Sequence, residues 1–407
     1  MSSLMLERCA VFTVCNLAYL PKALVLAESL LRHGSEKIKI HIIDRKCDVK
    51  LPTSLAEFVW IEDVGVPNLN ELAFKYDITE FSTSVKPFIT LQLLEKFDKV
   101  IFLDPDTCVF HSVSGIVKEL DNYPIILTPH YLSPKVGVGT DSDLGMMRFG
   151  SFNLGFYAVN NSDEALRFLR WWCDRCFRLC YFESQFGLST DQKWVSIAPC
   201  FFPKLHVSFN VGYNVAFWNV HERVLSKSTD GGYLVNGIYR LIFFHFSSFD
   251  ESNPGLLSKR TFPEQSSNRE DWFELADAYK EALARHMIDA AKRKYAFDYM
   301  SNGDYISPTL RRAYASVVEE LSPGHDPFDS KGPVGAFANK NFLIQKKIGL
   351  FIASGYGDMA KHKGKFVCIN NVMRTILRLL GPNKFANFSR LLVYLSNYRS
   401  NRGMWRL

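Results

Sequence analysis

Two aspartates follow a continuous apolar run in the first half of the chain. The run is KVIFL (99–103), and it leads directly into Asp104-Pro105-Asp106. Residues i and i+2 of an extended segment face the same side, and Pro105 cannot donate in a central ladder, so the strand must end with both carboxylates together. The pair repels and loses hydration unless a hard divalent cation, such as Mn²⁺ or Mg²⁺, binds it. Two turn-forming aspartates after a strand are the simpler alternative.

His245 is the next candidate. It stands in IFFHFSS (242–248), an apolar run that ends in a polar turn. A histidine in such a run is more often a core residue than a ligand. Together with two aspartates, however, an imidazole makes a sensible site for Mn²⁺ that leaves the remaining coordination positions to phosphate oxygens.

Alternating strand and helix patterns surround the two aspartates and must position them. Apolar, β-branched runs predict strands, and apolar residues at helical spacing predict helices. Strands are expected at 9–15, 38–44, 58–61 and 99–103, and helices at 19–33 and 84–97. This alternation predicts an α/β fold with an open, mostly parallel sheet flanked by helices. Ligands bind such sheets at the carboxyl ends of the strands, where Asp104 and Asp106 are expected to lie.

The pattern changes in the second half of the chain. A Gly-rich polar stretch at 134–150 predicts a long mobile loop, after which strands are expected at 152–159, 205–209 and 241–246 and a helix at 163–182. Beyond 253 the patterns are helical, at 269–299, 309–321, 341–354, 371–380 and 385–398, with a Pro/Gly/Asp-rich linker at 322–335. We therefore divide the chain into an α/β domain (1–255), a helical extension (256–330) and a basic amphipathic helical tail (331–407).

The charge is distributed unevenly. Residues 331–407 hold 14 Lys and Arg against one acid, Asp358, which gives the tail +13, whereas the whole chain carries +6 and the remainder therefore −7. Because the cations accompany apolar helical stretches, an anionic membrane surface is one predicted partner of the tail. A solvated basic face is an equally good interpretation. Nucleic acid ranks last, since the body is net acidic and no base-reading motif is recognised.

Composition and cysteine usage predict a cytoplasmic protein, or one peripheral at the inner face of a membrane. The chain is 47% hydrophobic and 22% charged, which is typical of globular rather than disordered proteins. The longest uncharged apolar candidate for a membrane span, at 348–357, is too short. No signal peptide is recognised, and the nine cysteines are odd in number and lie partly in apolar runs, so we expect free thiols in a reducing compartment.

Ordered motifs over residues 9–250 add a family resemblance. They are the first strand with Asn16 and Tyr19, the helix led by Lys86, Asp104-Pro105-Asp106, Asn153-Leu154-Gly155, Asp191-Gln192 and finally His245. In this order they resemble the GT-A-type nucleotide-sugar glycosyltransferases. The similarity is greatest to the retaining family 8 class, which includes glycogenin and bacterial lipopolysaccharide galactosyl- and glucosyltransferases. The resemblance makes 1–255 the nucleotide-sugar-binding catalytic domain.

The resemblance also implies roles for individual residues. Thr13, Asn16 and Tyr19 would hold the uracil and ribose, and Lys86 would bind the donor near its phosphates or sugar. Asp104, Asp106 and His245 would ligate Mn²⁺ or Mg²⁺. Asn153 and Gly155 would lie against the transferred sugar. Asp191 would bind sugar hydroxyls, and Gln192 would lie near the anomeric carbon.

Structural interpretations compete with these roles. Lys86 is also explained as a solvated cation at a helix start, and Asn153 and Gly155 as a turn at a strand end. Asp191 and Gln192 follow Ser189-Thr190 and fit a helix N-cap region about as well.

The chain departs from the family pattern at two places. It has Cys15 where family 8 proteins commonly carry an acid. Ser247-Ser248-Phe249-Asp250 stands where a Gly- and Lys-containing phosphate-binding element is usual. The first departure changes a residue that is expected to contact the nucleobase. Together, the two departures weaken the prediction of the stereochemical outcome more than the prediction of the fold.

The function implied is transfer of a hexose from a UDP-sugar to a glycan or lipid-linked acceptor in bacterial surface polysaccharide synthesis, with retention. An inverting enzyme would need a base, for which Asp141 and Asp143 in the loop are candidates. The loop is better interpreted as a lid or an acceptor contact. One alternative is a sugar nucleotidyltransferase, although Asn16-Leu17-Ala18-Tyr19 is not its Gly-rich, Arg-containing loop. Another is a non-catalytic scaffold with a GT-A-like domain.

Overall fold

The computed structural model describes residues 8–137, 142–256, 258–260, 269–321, 324–344 and 363–407. These residues form two compact units. The first comprises Met1–Leu69 and Ile78–Ala296, and the second comprises Asn70–Asp77 and Phe297–Leu407. The predicted helix at 341–354 and the candidate base Asp141 fall wholly or largely outside the described residues.

Fourteen strands are described, all in the first unit. They are β1 (Cys9–Cys15), β2 (Ile38–Ile42), β3 (Ala56–Trp60), β4 (Lys99–Leu103), β5 (Thr107–Val109), β6 (Ile125–Pro129), β7 (Phe152–Asn160), β8 (Phe182–Glu183), β9 (Leu188–Ser189), β10 (Leu205–Val207), β11 (Leu225–Lys227), β12 (Tyr233–Val235), β13 (Tyr239–Arg240) and β14 (Phe243–His245).

The helices flank the sheet or build the second unit. They are α1 (Leu20–Arg32), α2 (Leu69–Lys75), α3 (Ile78–Ser84), α4 (Lys86–Leu94), α5 (Ser114–Glu119), α6 (Asp143–Phe149), α7 (Asp163–Leu179), α8 (Thr190–Val195), α9 (Glu270–Arg285), α10 (Pro308–Val317), α11 (Pro333–Lys340) and α12 (Lys363–Ser396). In this part of the chain no helix is both long and apolar enough to cross a bilayer.

Seven strands form the central sheet in the order β10-β6-β7-β4-β1-β2-β3. Strand β7 is antiparallel to both of its neighbours, and the other ladders of the sheet are parallel. The predicted α/β fold with a mostly parallel sheet flanked by helices is therefore confirmed. The order places β1 and β4 next to each other, with Phe12 opposite Phe102 in the register.

Strand β1 is buried along its whole length because both faces of the sheet are covered. Val11 and Cys15 pack in one apolar cluster with Leu24 of α1. Phe12 points to the opposite face, where its ring lies 5.0 Å from that of Phe102. The Tyr157 ring lies on the same face and meets Trp172 of α7 edge-on at 5.0 Å. Alternation along one strand thus fills two separate layers of the core.

A short ladder outside the central sheet joins the two motifs that carry the candidate metal ligands. Strand β4 ends at Leu103, and the Thr107 amide then donates to the Asp104 carbonyl at 3.0 Å, which closes a turn around Pro105. Strand β5 follows and pairs antiparallel with β14, so that Thr107 is opposite His245. This register brings the histidine beside the two aspartates.

Two predicted helices differ from the observed ones for physical reasons. The helix expected at 84–97 begins only at Lys86, after a break at Val85. The reason is Pro87, because a proline is tolerated in the first turn of a helix but not in its interior. The expected helix at 269–299 ends with α9 at Arg285. There His286 hydrogen bonds to Glu28 at 2.8 Å, and Ala290 joins the core cluster of the sheet. These tertiary contacts override the helical pattern.

A buried arginine, Arg311, connects several segments of the second unit by hydrogen bonds. The Arg311 side chain is buried, and one of its terminal nitrogens donates to the Ala73, Phe74 and Tyr76 carbonyls at 2.9, 2.9 and 2.7 Å. The other nitrogen binds Asp298 at 2.7 Å. One side chain of α10 thus binds three backbone carbonyls in and just after the last turn of α2. The last helix, α12, is broken at Gly381, whose φ of 72° is favourable for glycine.

Candidate metal centre

Asp104, Asp106 and His245 come together at the carboxyl end of β4. One oxygen of each aspartate and one imidazole nitrogen all lie within 4.8 Å of one another. The Nε2 atom of His245 is 3.0 Å from Oδ1 of Asp106 and 3.7 Å from Oδ2 of Asp104. Adjacent ligands of an octahedral cation with bonds near 2.1 Å are about 3 Å apart, so these distances fit one divalent ion. No other group with this geometry occurs among the described residues.

The chemistry of the three side chains also fits a hard or borderline cation, because it offers two carboxylates and one imidazole. Asp106 and His245 are buried, and Asp104 is partly exposed. Burial raises the pKa of the Asp106 carboxyl, but the neighbouring His245 outweighs burial and holds this pKa below its usual range. Asp106 is therefore ionised at neutral pH, as a metal ligand must be.

Lys86 leads α4 and points inward rather than into solvent. Its Nζ donates to the Leu154 carbonyl at 3.0 Å and lies 3.3 Å from Asp104 and 3.7 Å from Asp191. Nζ also lies 4.4 Å from the centre of the Phe102 ring. Burial lowers the pKa of this lysine, but the carboxylates of Asp104 and Asp191 outweigh burial and raise it overall. The side chain thus carries a buried positive charge beside the candidate metal ligands.

Asp191 is the third acid of the site and lies in the first turn of α8. Only 2% of it is exposed, and its Oδ2 accepts no hydrogen bond from a described residue. Burial raises its pKa to about 6, and Asp104 adds to the shift while Lys86 opposes it. The preceding Thr190 has a φ of 49°, which is rare for a β-branched residue. Asp191 is therefore held, at a cost in strain and desolvation, next to the candidate metal ligands.

This desolvation predicts a pH-dependent effect of Asp191→Asn. The folded state binds the Asp191 proton more tightly than the unfolded chain, so the carboxyl destabilises the fold increasingly as the pH rises toward and through about 6. We expect the stability of the variant relative to wild type to increase by about 1–2 kcal/mol between pH 5 and 7.5 in metal-free protein. Urea unfolding at the two pH values measures this difference. A pH-independent difference would contradict the raised pKa.

Gln192 and Asp143 both make contacts that stabilise the local fold. Nε2 of Gln192 donates to the Phe149 carbonyl at 3.2 Å, at the end of α6. The carboxylate of Asp143 accepts hydrogen bonds from the Tyr131 hydroxyl at 3.0 Å and from the Lys135 amide at 2.9 Å. The role of Gln192 near the anomeric carbon stays a prediction, as does that of Asp143.

The motif Asn153-Leu154-Gly155 on β7 contacts the candidate metal ligands. The Gly155 carbonyl accepts from the Asp104 amide at 2.8 Å. A Cβ at Gly155 would lie 2.4 Å from Cε1 of His245, so only glycine allows the imidazole to occupy its place. Oδ1 of Asn153 accepts from the Gly155 amide at 3.0 Å. The predicted roles of Asn153 and Gly155 toward the transferred sugar are separate from these contacts and remain proposals.

Of the three residues expected around the nucleoside, Thr13 lies within β1, and Asn16 and Tyr19 follow the end of the strand. Thr13 is fully buried, and its hydroxyl has no hydrogen-bond partner in the described part of the chain. Oδ1 of Asn16 accepts from the Tyr19 amide at 3.1 Å and caps the turn. The Tyr19 ring is exposed and lies 4.3 Å from Nζ of Lys22. The positive charge of Lys22, which follows the turn in α1, also contributes to the lowered pKa of Asp106.

Sequence reasoning missed the polar residues that surround His245. Asn214 lies 3.3 Å from Nδ1 of His245, and the Trp218 ring meets the imidazole edge-on at 5.2 Å. His130 lies nearby, and burial lowers its pKa to about 4. No periodic pattern marks these positions, since they lie in turns. An asparagine in a Gly-containing turn, as in Asn210-Val211-Gly212-Tyr213-Asn214, was the one signal available.

No known protein-family profile matches the chain. The chain is 26% identical over 246 residues to the uncharacterised protein YfnD of Bacillus subtilis, and the match covers 58% of this chain and 76% of YfnD. Similarity to solved structures is found as well, at low identity.

Three of these structures illustrate the range. The galactosyltransferase LgtC is 15% identical, with 68% of this chain and 95% of LgtC covered and a TM-score of 0.39. The glycosyltransferase GlyE of Streptococcus pneumoniae is 18% identical, with 68% and 63% covered and a TM-score of 0.39. Mouse xyloside xylosyltransferase 1 is 14% identical, with 58% and 97% covered and a TM-score of 0.38. At these identities and TM-scores the similarity establishes neither a family nor an activity.

Proposed function

We propose that this protein is a GT-A-type glycosyltransferase that transfers a hexose from a UDP-sugar to a glycan or lipid-linked acceptor with the help of a divalent metal ion. The observation that carries the proposal is the cluster of Asp104, Asp106 and His245 at the carboxyl end of a parallel strand. Lys86 and Asp191 lie directly beside it. Three acids, one imidazole and one buried cation suit a diphosphate donor better than they suit a structural ion site.

In this proposal each group has a distinct task. Asp104, Asp106 and His245 would hold Mn²⁺ or Mg²⁺, which when bound supplies Lewis-acid stabilisation to the leaving diphosphate. Lys86 would place a second positive charge near the same phosphates. Asp191 would accept hydrogen bonds from the sugar hydroxyls, because above pH 6 its carboxylate is ionised and its Oδ2 accepts no hydrogen bond from the described residues. Asn16 and Tyr19 would contact the nucleoside.

Retention and a role in bacterial surface polysaccharide synthesis are further parts of the proposal. They are supported by the order of the motifs from Asn16 to His245 and not by a contact in the structure. In a retaining reaction the acceptor hydroxyl attacks from the face that the diphosphate leaves, and a phosphate oxygen takes its proton. This route needs no protein base, so it requires neither Asp143 nor Asp141.

A donor screen tests the proposal. UDP release is followed with common nucleotide-sugars in Mn²⁺, in Mg²⁺ and in EDTA. We expect release from one or a few UDP-sugars with metal and none in EDTA. Turnover of a nucleoside triphosphate with a sugar 1-phosphate would instead identify a nucleotidyltransferase. A scaffold would bind UDP and Mn²⁺ in calorimetry without turnover, and absence of binding would reject the GT-A assignment.

We also propose that the tail binds an anionic membrane surface, which would place the enzyme at the inner face of the membrane. Residues 363–407 contain nine Lys and Arg and no Asp or Glu. Large apolar side chains of α12 are exposed, among them Leu379 at 80% and Tyr394 at 77%. Cations and exposed apolar side chains on one helix complement the headgroups and the acyl boundary of an anionic bilayer.

The test is a variant in which Arg374, Arg378, Lys384 and Arg390 of α12 are replaced by Gln. Each cation near an anionic surface contributes roughly 1 kcal/mol, so binding to phosphatidylserine-containing vesicles is expected to fall by at least about tenfold. Sedimentation with vesicles measures the binding. The matched control replaces four exposed lysines of the first unit by Gln, namely Lys50, Lys96, Lys118 and Lys204. Equal binding by both variants would dispose of the membrane proposal.

A further inference from the structure

A buried chain of side-chain amides lies behind His245, on the side away from the two aspartates. Its centre is Asn214, which is 1% exposed. Nδ2 of Asn214 donates to Oδ1 of Asn153 at 2.9 Å and to Oγ1 of Thr128 at 3.2 Å. Oδ1 of Asn214 lies 3.3 Å from Nδ1 of His245. Every donor in a buried polar network needs an acceptor, so one group of known type fixes which atom donates and which accepts in each hydrogen bond of the chain.

The backbone amide of Gly155 fixes the donors and acceptors of this chain, because a backbone N–H can only donate. The Gly155 N–H is always a donor, and it binds Oδ1 of Asn153 at 3.0 Å. The Asn153 atom facing Asn214 is therefore an acceptor, so the Asn214 atom facing it must be the NH₂ group. The remaining oxygen of Asn214 then faces His245. Only a proton on Nδ1 of His245 satisfies this oxygen.

A proton on Nδ1 has a direct consequence at the other nitrogen. Nε2 of His245 points at Asp106, 3.0 Å away, and at Asp104, 3.7 Å away. When Nδ1 carries the only proton of the neutral ring, Nε2 presents its lone pair to this position. Metal-binding histidines almost always donate their second nitrogen to an acceptor in this way, which orients the ring and raises its basicity.

The position of Asn214 is itself enforced by its surroundings. Its φ is 52°, in the left-handed region that asparagine tolerates better than most residues. Asn219 holds this backbone, because its Nδ2 donates to the Asn214 carbonyl at 3.0 Å and its Oδ1 accepts from the Ala216 amide at 2.9 Å. The hydrogen bonds of Asn219 therefore stabilise the turn that holds the Asn214 side-chain amide in place.

The imidazole has little freedom to turn away from Asn214. The Trp218 ring packs against it edge-on at 5.2 Å. On another side the ring lies so close to Gly155 that an added Cβ would be 2.6 Å from Nδ1. Packing therefore restricts the ring position, and the hydrogen bond to Asn214 selects which nitrogen faces the aspartates.

We propose that Asn214 is a positioning residue that keeps His245 in the Nδ1–H form, so that Nε2 is the metal-binding nitrogen. The inference rests on the proposed metal site of the glycosyltransferase. It assigns Asn153 and Gly155 a second role, because the Gly155 amide fixes Oδ1 of Asn153 as the acceptor that orients Asn214. Among the described residues, the Asn214 side chain contacts Thr128, Asn153 and His245 and hydrogen bonds to neither aspartate.

Mn²⁺ affinity provides the test, measured without any substrate from the loss of the free-ion signal in electron paramagnetic resonance. We expect Asn214→Ala to weaken Mn²⁺ binding by about 10- to 100-fold. Asn214→Asp keeps an acceptor for Nδ1–H but places its second carboxylate oxygen against Oδ1 of Asn153, so it is expected to recover only part of the affinity that Asn214→Ala loses, which a merely structural role would not explain. Asn122→Ala, at an exposed position of the same unit, is the matched control and should bind as wild type.

A measurement on the wild-type protein keeps the proposal testable even where Asn214→Ala does not fold. With ¹⁵N-labelled histidine and saturating Mg²⁺, the His245 proton should reside on Nδ1 and exchange slowly with water. A proton on Nε2 would overturn the proposal, as would a folded Asn214→Ala protein with wild-type Mn²⁺ affinity. If the wild-type protein binds no Mn²⁺, the proposed function fails and this inference fails with it. If the proton is on Nε2, or if folded Asn214→Ala binds Mn²⁺ as tightly as wild type, only this inference fails and the proposed function stands.

Discussion

Replacing Asp106 by Asn is expected to reduce UDP release and sugar transfer on the order of 10³-fold while leaving the protein folded. The substitution keeps the shape of the side chain and removes the charge. Asp106 is buried and lies 3.0 Å from Nε2 of His245, so the neutral amide remains next to the imidazole but no longer neutralises a cation there. Activity is measured as UDP release with the best donor of the screen, and folding by circular dichroism.

The control for this variant is Asp289→Asn, the same chemical change at a side chain that is 95% exposed. It should retain full activity, because Asp289 pairs locally with Lys292 on the surface, where an ion pair contributes little. The Asp106 variant must also lose Mn²⁺ binding, which separates a missing ligand from a remote defect. Wild-type turnover by Asp106→Asn would exclude the triad as the reaction centre.

The two aspartates of the metal triad could be predicted from the sequence because each step follows from a local rule. Pro105 ends a buried strand, two acids at i and i+2 stay together, and the carboxyl end of a parallel strand is where ligands bind. His245 required more than a local rule, since its position depends on the pairing of β5 with β14. Its place in the order of the family motifs supplied the missing information.

The rest of the site could not be predicted because it depends on tertiary packing. Lys86 at a helix start is usually solvated, and only the fold shows that it is buried between Asp104 and Asp191. The amide of Asn214 lies in an irregular turn, where neither period 2 nor period 3.6 gives a signal. The end of α9 at Arg285 depends in the same way on contacts with α1 that lie far away in sequence.

Lys86→Met is expected to have the largest effect on stability. Methionine preserves the apolar stem but leaves the carboxylates of Asp104 and Asp191 close together without the cation that now lies between them. Removing one partner of a buried ion pair costs about 3–5 kcal/mol, so in metal-free protein at pH 7.5 we expect a loss of that size in the free energy of unfolding. Urea unfolding followed by fluorescence measures it.

The pH dependence identifies the cause of this loss. Without Lys86, which now lowers the pKa of Asp191, that carboxyl must titrate above about 6, so it is protonated in the folded variant at pH 5. The folded state then binds more protons than the unfolded chain, and stability rises as the pH falls from 7.5 to 5. The double variant Lys86→Met/Asp191→Asn should recover stability at pH 7.5 as well.

The matched control is Lys39→Met, which removes the surface ion pair with Glu57 from β2. Because the Glu57 carboxylate is exposed and screened by water, this loss should be at most about 1 kcal/mol and should not depend on Asp191. Equal effects of the two single variants would mean that Lys86 acts as apolar packing only. Recovery of Lys86→Met at low pH and by Asp191→Asn would instead show that the charge of Lys86 stabilises the carboxylates of Asp104 and Asp191, because a buried carboxylate without a cationic partner destabilises the fold.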